Sequence, residues 1–483
     1  KKLIKMKKQV IGDQRSQADP PDQTEIGSAA EVRAEWLLAG ESPVFDDQLT
    51  SLIRLKTGGM VEYHSTMATA FYNWAWIALR AAKKIRQLEI DNPIGSPVGR
   101  LGKAYVKWEQ VFGKMRLQKF HTKMILEGFK IKCPGYKGQS RLPKPLEEQE
   151  NRDIIAEELL EEVRLGCIEV VTPASEPTMF QREQPLLTAG NHFHSVFAVY
   201  QNGKWRAVHN MIELNGYGGK IGYKSYPFRH MQHLMRLNDF MVAGDLKRYY
   251  HIFKLHQESR DLGLIWIGNS KWATTKFGRK AGTSIVLRCT RMFFGLRDAP
   301  RVAEKFLRLV DEHLRRSGIR MVRIMDDLAI LASTFIITLN QTLAMLKLTI
   351  QLGIMWGWRK CTWKPTATVK FYGCLWNSHT GAIYVPRKKL LFMRAKILEI
   401  VALETCNAKL AASVQGTIRA YSNAMYGAKL LTRETHAFIV TTVNAIGWYE
   451  DVKIWQRVKI ELEKLSKILL QQNGLSSRPP EPQ

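Results

Sequence analysis

Between positions 165 and 385, short runs of apolar and β-branched residues alternate with stretches whose apolar positions recur every three or four residues. That mixture predicts strands interleaved with helices. The strand-like runs are CIEVVT, HSVFAVY, FMVAGDL, GLIWIG, TSIVLR, VRIMDDLAIL, TVKFYGCLW and AIYVP, and helices are predicted over 229–237, 299–316 and 336–352. From Glu31 to about Lys130 the pattern is helical and aromatic-rich (Trp36, Phe71, Tyr72, Trp74, Trp76, Trp108), broken at NPIGSPVG (92–99). The Gly, Pro and basic residues of CPGYKGQSRLPKP (133–145) mark a linker, and the acidic helix after it aligns Ile154, Ile155, Leu159 and Val163. Past Pro386 the chain turns helical again, with Val458, Leu462, Leu465 and Leu469 in a heptad-like seam. The expected organisation is a polar tail at 1–30, a helical extension at 31–145, an α+β part at 146–385, a helical part at 386–474 and a tail at 475–483.

The 483 residues, 45% of them hydrophobic, suffice for two or three cores. Charge narrows the function: 72 Lys+Arg against 44 Asp+Glu leave +28, which points to a polyanionic partner, nucleic acid first. Residues 351–400 hold nine basic side chains (Arg359, Lys360, Lys364, Lys370, Arg387, Lys388, Lys389, Arg394, Lys396) against Glu399 alone. Interleaved Trp356, Trp358, Trp363, Phe371 and Tyr372 suit stacking or backbone contact with a nucleic acid, while a solvated face is the plain alternative. Six cysteines lie far apart with no C-x-x-C pair, so neither a zinc knuckle nor a dense disulfide framework is indicated and free thiols in a reducing compartment are expected. No apolar stretch reaches the ~20 residues of a membrane span. The chain opens KKLIKMKKQ without an initiator Met, so no targeting peptide can be read.

Two apolar runs end in acids: FMVAGDL in Asp245, and VRIMDDLAIL around Asp326 and Asp327. Adjacent carboxylates in an apolar strand repel one another, and a divalent cation would relieve them. If 324–330 pairs near 240–246, Asp245 joins the cluster that two-metal phosphoryl transfer requires. On spacing alone, a strand-end Asp and a turn Asp-Asp are the plainer reading of the pattern.

The order of several segments resembles the retroelement reverse transcriptases. GKWRAVHNMIELN (203–215) looks like their fingers segment and GDLKRYYHIFKL (244–255) like the first palm motif. FFGLRDAP (293–300) resembles the Phe-Gly-Leu-x-x-Ala-Pro helix entrance, IMDDL (324–328) the Tyr-x-Asp-Asp hairpin, and 352–376 the segment ending in the primer grip. Within that family the likeness is greatest to DIRS-type retrotransposons, through GRLGKAYVKWEQVFGKMRLQKFHTKMILEGFKIKC (99–133). The resemblance covers about 99–470. It implies an α+β right-hand polymerase of fingers, palm and thumb behind a helical N-terminal extension, with 412–433 in the thumb. It also leads one to expect no ribonuclease H activity, because the chain stops where that domain would follow.

Carried over residue by residue, the resemblance implies that Asp245 and Asp326 hold two Mg²⁺ (or Mn²⁺) ions, with Asp327 in support and the Leu246 carbonyl completing a shell. Tyr250 falls on the position that lies under the sugar and rejects a 2′-hydroxyl, with a core tyrosine as the alternative. Arg206 matches a triphosphate-holding residue, and Lys360 the lysine that protonates pyrophosphate, with a simple phosphate contact as the alternative. Gly295 and Leu296 would let the backbone approach template and nucleotide bases. Lys360, Lys364, Lys370, Arg387, Lys388 and Lys389 would meet the nucleic acid. Implied partners are an RNA or RNA/DNA template-primer and dNTPs, with no membrane.

Several positions depart from the family pattern. Tyr249 takes the small-residue position beside the nucleotide's 3′-hydroxyl pocket and would crowd it, at a typical cost of ~1–3 kcal/mol. Arg248, Phe293, Asn210, Tyr200, Gln201, Ile324 and Ala303 also deviate. Two functions therefore stand open. One is an RNA-directed DNA polymerase, in nucleus or cytoplasm. The other is a domesticated, catalytically eroded fold that serves as an RNA-binding component of a ribonucleoprotein such as an organellar ribosome, in contact with ribosomal RNA and ribonucleoprotein subunits, and mitochondrial in that case. A DNA-binding regulator is disfavoured by the lack of a helix-turn-helix or finger motif.

Overall fold

The computed structural model describes residues 61–476 apart from 118, 172–186, 188–189, 202–203, 220–221, 223–227, 281, 426, 428–429 and 472. The expected tail at 1–30, Trp36 and residues 477–483 lie outside the described residues. The chain divides between Lys83 and Lys84 into two units. In the first, the described residues form the start of helix α1 (Val61–Asp91), with Ala75, Ala78 and Ala81 buried at helical spacing.

The second unit is an α+β fold centred on a four-stranded antiparallel sheet. Its strands are β4 (Phe240–Asp245), β7 (Arg320–Ile324), β8 (Asp327–Ala332) and β9 (Thr362–Thr366), in the order β7-β8-β4-β9. The run VRIMDDLAIL is thus two strands joined by a tight hairpin, in which Ile324 pairs with Asp327. Met325 turns the chain with φ +57°, a conformation in which glycine is usual. Strand β8 pairs with β4 in continuous register from Phe240–Ala332 to Asp245–Asp327.

Because directly opposed residues share a face, Met241, Ala243, Val322, Ile324, Ala329 and Leu331 line one side of this sheet. They join a core with a second sheet, β10 (Thr368–Phe371), β11 (Cys374–Asn377) and β12 (Ala382–Tyr384), and with the C-terminal helices. The TVKFYGCLW run also folds as a hairpin, with Tyr372 (φ +46°) and Gly373 (φ +78°) at its tip. The C-terminal helices are Arg387–Ala402, Ala408–Ala420, Arg433–Ile446 and Gln456–Ile468. The predicted seam holds: Val458, Leu462, Leu465 and Leu469 are all buried in that core.

Helix α2 (Ala299–Arg316) covers the sheet's other face. Pro300 at its first turn suits the fixed φ of a helix start, and His313, Arg315 and Arg316 complement the dipole at its end. Trp108, from the helix Tyr105–Arg116, packs on Phe306 of α2 with ring centroids 4.8 Å apart and donates its indole N–H to the Leu352 carbonyl. Part of the N-terminal extension is thereby built into the core of the second unit.

The remaining elements hold the fingers-like region. Strands β1 (Ile168–Val171), β6 (Ile285–Cys289) and β5 (Leu264–Gly268) form a three-stranded sheet, and β2 (Val196–Gln201) pairs with β3 (Lys204–His209) as a hairpin. The helix Arg152–Arg164 packs against both through buried Ile155, Ala156 and Leu159. All six cysteines are free thiols. Among the described residues no helix is long and apolar enough to cross a membrane.

Candidate active site

The alternation of β4 and β8 brings the predicted acids together. Asp245 and Asp327 are register partners on adjacent strands, so they project from the same face, and Asp326 sits in the turn beside them. The Leu246 amide donates to the Asp326 carbonyl at 2.8 Å, fastening the chain just past β4 to the hairpin tip. Gly357 donates its amide to the Asp245 carbonyl at 2.7 Å, and a Cβ there would lie 2.8 Å from the Asp245 carboxylate, so a side chain at 357 would clash with it.

Burial pushes the Asp327 carboxyl up to about 6, and the Asp326 and Asp245 charges add to the effect. Asp326 is raised as well, by burial first and then by Asp245, with Lys360 and Arg206 opposing. The three half-buried carboxylates thus share one neighbourhood, with the Asp245 charge reaching both Asp326 and Asp327, although their oxygens do not form a group that lies within 4.8 Å of one another. Lys360 reaches both oxygens of Asp245 at 3.3 Å from an exposed position. Arg206, exposed on β3, lies close enough to Asp326 to favour its charge.

Other positions have a different environment from the one expected. Tyr249 is 4% exposed, and its hydroxyl accepts from Arg323 Nη1 at 3.3 Å. Arg323 neighbours Ile324 on β7 and therefore points to the face opposite Asp245 and Asp327. There it is fully buried between Glu304 and Asp311 of α2, at 3.2 and 2.8 Å. Arg323 also donates to the Met325 carbonyl at 2.7 Å, while the Met325 amide donates to Glu304 at 2.6 Å. This ionic cluster grips both backbone groups of the turn residue that precedes Asp326. Sequence reasoning missed it, although an Arg between Val322 and Ile324 in an apolar strand, and acids seven apart on the apolar face of a helix, were the available signals.

Tyr250 is buried, edge-on to Phe294 at 4.8 Å. Gly295 has a local reason for being glycine, since its φ is +110° and a Cβ would lie 2.4 Å from the His209 carbonyl. Leu296 is buried. The aromatic half of the basic stripe is corrected: Trp356, Trp358 and Phe371 are buried, Trp356 packs edge-on to Trp363 at 5.1 Å, and only Tyr372 of the five is exposed. These rings fill the core because their strands and turns place them inward. Lys389 is likewise committed internally, over the Tyr421 ring. Lys370, Arg387 and Lys388 remain exposed, and Lys364 is half-buried.

No family model and no curated protein sequence matches the chain. Among solved structures, a foamy viral protease-reverse transcriptase (dRH form) in complex with double-stranded DNA is similar over 81% of this chain and 64% of that one, with a TM-score of 0.50 and 16% identity. The same viral protein in complex with an RNA/DNA hybrid is similar over 81% and 48%, with a TM-score of 0.49 and 14% identity. The fold is reverse-transcriptase-like. The chain spans less than two thirds of those viral chains.

Proposed function

We propose that the chain is an RNA-directed DNA polymerase of DIRS-type retroelement descent, which adds nucleotides to a primer 3′-hydroxyl. The observation that carries the proposal is the pairing of Asp245 with Asp327 across β4 and β8, with Asp326 at the adjoining turn. These acids would hold Mg²⁺ or Mn²⁺, with the Leu246 carbonyl as a further oxygen. Bound divalent ions would activate the primer hydroxyl and neutralise charge on the phosphates. The chain's own contribution is positional: the Arg323 cluster holds the hairpin tip, Arg206 offers a fork for triphosphate oxygens, and Lys360 offers a proton or a phosphate contact. Lys364, Lys370, Arg387 and Lys388 are assigned to template-primer contact, and Tyr250 to the sugar. The likeness to a fold solved on duplex DNA supports a nucleic-acid partner.

Primer extension on a defined RNA template with Mg²⁺ and dNTPs tests this. Extension by the wild type, reduced on the order of 100-fold or more in Asp326→Asn, is expected. A second reading, an RNA-binding component of a ribonucleoprotein without catalysis, draws on one observation: the Lys360 ammonium already sits on Asp245. It predicts tight, salt-sensitive RNA binding with no extension by wild type or by Lys360→Ala.

A further inference from the structure

A second cluster of metal-binding side chains lies away from the carboxylates, and it does not depend on the polymerase proposal. His194 precedes β2, His209 ends β3 and Cys289 ends β6, yet their ligand atoms all fall within 4.8 Å of one another and all three residues are buried. The three come from separate parts of the sequence, which is why no spacing motif announced them. His194 Nε2 and His209 Nδ1 are 2.8 Å apart, so one imidazole must donate to the other. Either tautomer leaves His194 Nδ1 buried without a partner. Both rings are shut away from solvent. Beside them, Glu162 Oε2 is another buried polar atom without a hydrogen-bond partner, in a carboxylate whose charge is felt by both His209 and Cys289.

We propose that His194, His209 and Cys289 bind one zinc-class divalent cation in a closed, structural site. Two imidazoles and a thiolate select a borderline-soft ion over Mg²⁺. Binding converts the Cys289 thiol to thiolate and releases its proton to solvent. Tetrahedral closure requires one more donor; Glu162, whose other oxygen faces His251 at 3.3 Å, would have to swing inward to supply it. Such an ion would join the end of the β2–β3 hairpin, which carries Arg206, to the β1–β6–β5 sheet, and would set the angle at which that hairpin leaves the core.

The test is metal analysis of the full chain purified without chelators, followed by Co²⁺ replacement. The expected result is about one zinc per chain, and on Co²⁺ exchange a thiolate-to-cobalt absorption band that Cys289→Ser abolishes. His209→Asn should lower the zinc content several-fold, and Asp326→Asn should leave it unchanged. Should the variants fail to fold, the wild type alone decides: metal-free protein that takes up neither zinc nor cobalt and shows no thiolate band overturns the proposal. Loss of zinc in Asp326→Asn would assign the metal to the carboxylates and overturn it as well.

Discussion

The two faces of the four-stranded sheet carry charge in opposite ways. On the face of α2, Arg323 is enclosed by Glu304, Asp311 and Tyr249, and both backbone groups of Met325 are bonded. On the other face, at the strand ends, Asp245, Asp326 and Asp327 gather with the exposed Lys360 ammonium reaching Asp245. Paired buried charge fixes geometry, because removing one partner strands the others in a low dielectric. Crowded carboxylates instead retain an affinity for cations. The closed cluster thus holds a turn with an unfavourable φ, and the open cluster is what that turn presents.

The difference can be broken most forcefully at Arg323. Arg323→Ala leaves Glu304 and Asp311 buried without a cation and is expected to destabilise the fold by about 3–5 kcal/mol, measured by urea denaturation. Loss below about 1 kcal/mol would mean that the closed cluster does not hold the hairpin.

The open cluster should show itself in the pH dependence of the metal-free protein. A carboxyl whose folded pKa is raised, as Asp327's is to about 6, contributes stability that is full below its unfolded value and disappears as pH rises through 6. Between pH 4 and 7 this amounts to a loss on the order of 2 kcal/mol, which Asp327→Asn should largely remove. Thermal melts across that range in wild type and variant measure it, and parallel curves would contradict it.

The smallest effect is expected at Tyr249. Tyr249→Phe removes one 3.3 Å contact to Arg323 and should cost about 1 kcal/mol or less. Because the ring serves the closed face, primer extension should stay within about twofold of wild type. A loss well above about 1 kcal/mol would mean that the hydroxyl carries more of the closed cluster than this one contact.

Much of this comparison was legible in the sequence, and the rest was not for identifiable reasons. Helix 299–316 and the heptad seam were read correctly because their periodicity is long and strong. The acids could be found because apolar runs ended on them. On apolar pattern VRIMDDLAIL and TVKFYGCLW each read as one run, because Met325 and Tyr372 are apolar or aromatic yet adopt positive φ; Asp326–Asp327 and Gly373 were the turn signals inside them. The tryptophans of 356–363 looked like a stacking surface because composition does not say which way a ring points. Arg323, Glu304 and Asp311 went unnoticed because a buried ion pair is a fact about helix-to-strand packing, which neither segment reveals alone.

The most direct measurement is Mn²⁺ binding to the full chain, followed by the enhancement of water-proton relaxation, in wild type and in the double variant Asp245→Asn, Asp326→Asn. The account predicts saturable binding by the wild type that weakens at least about tenfold in the double variant, since two of the three carboxylates are gone. Equal Mn²⁺ affinity in the two proteins, both folded, would contradict it and leave the acids without a cation to hold.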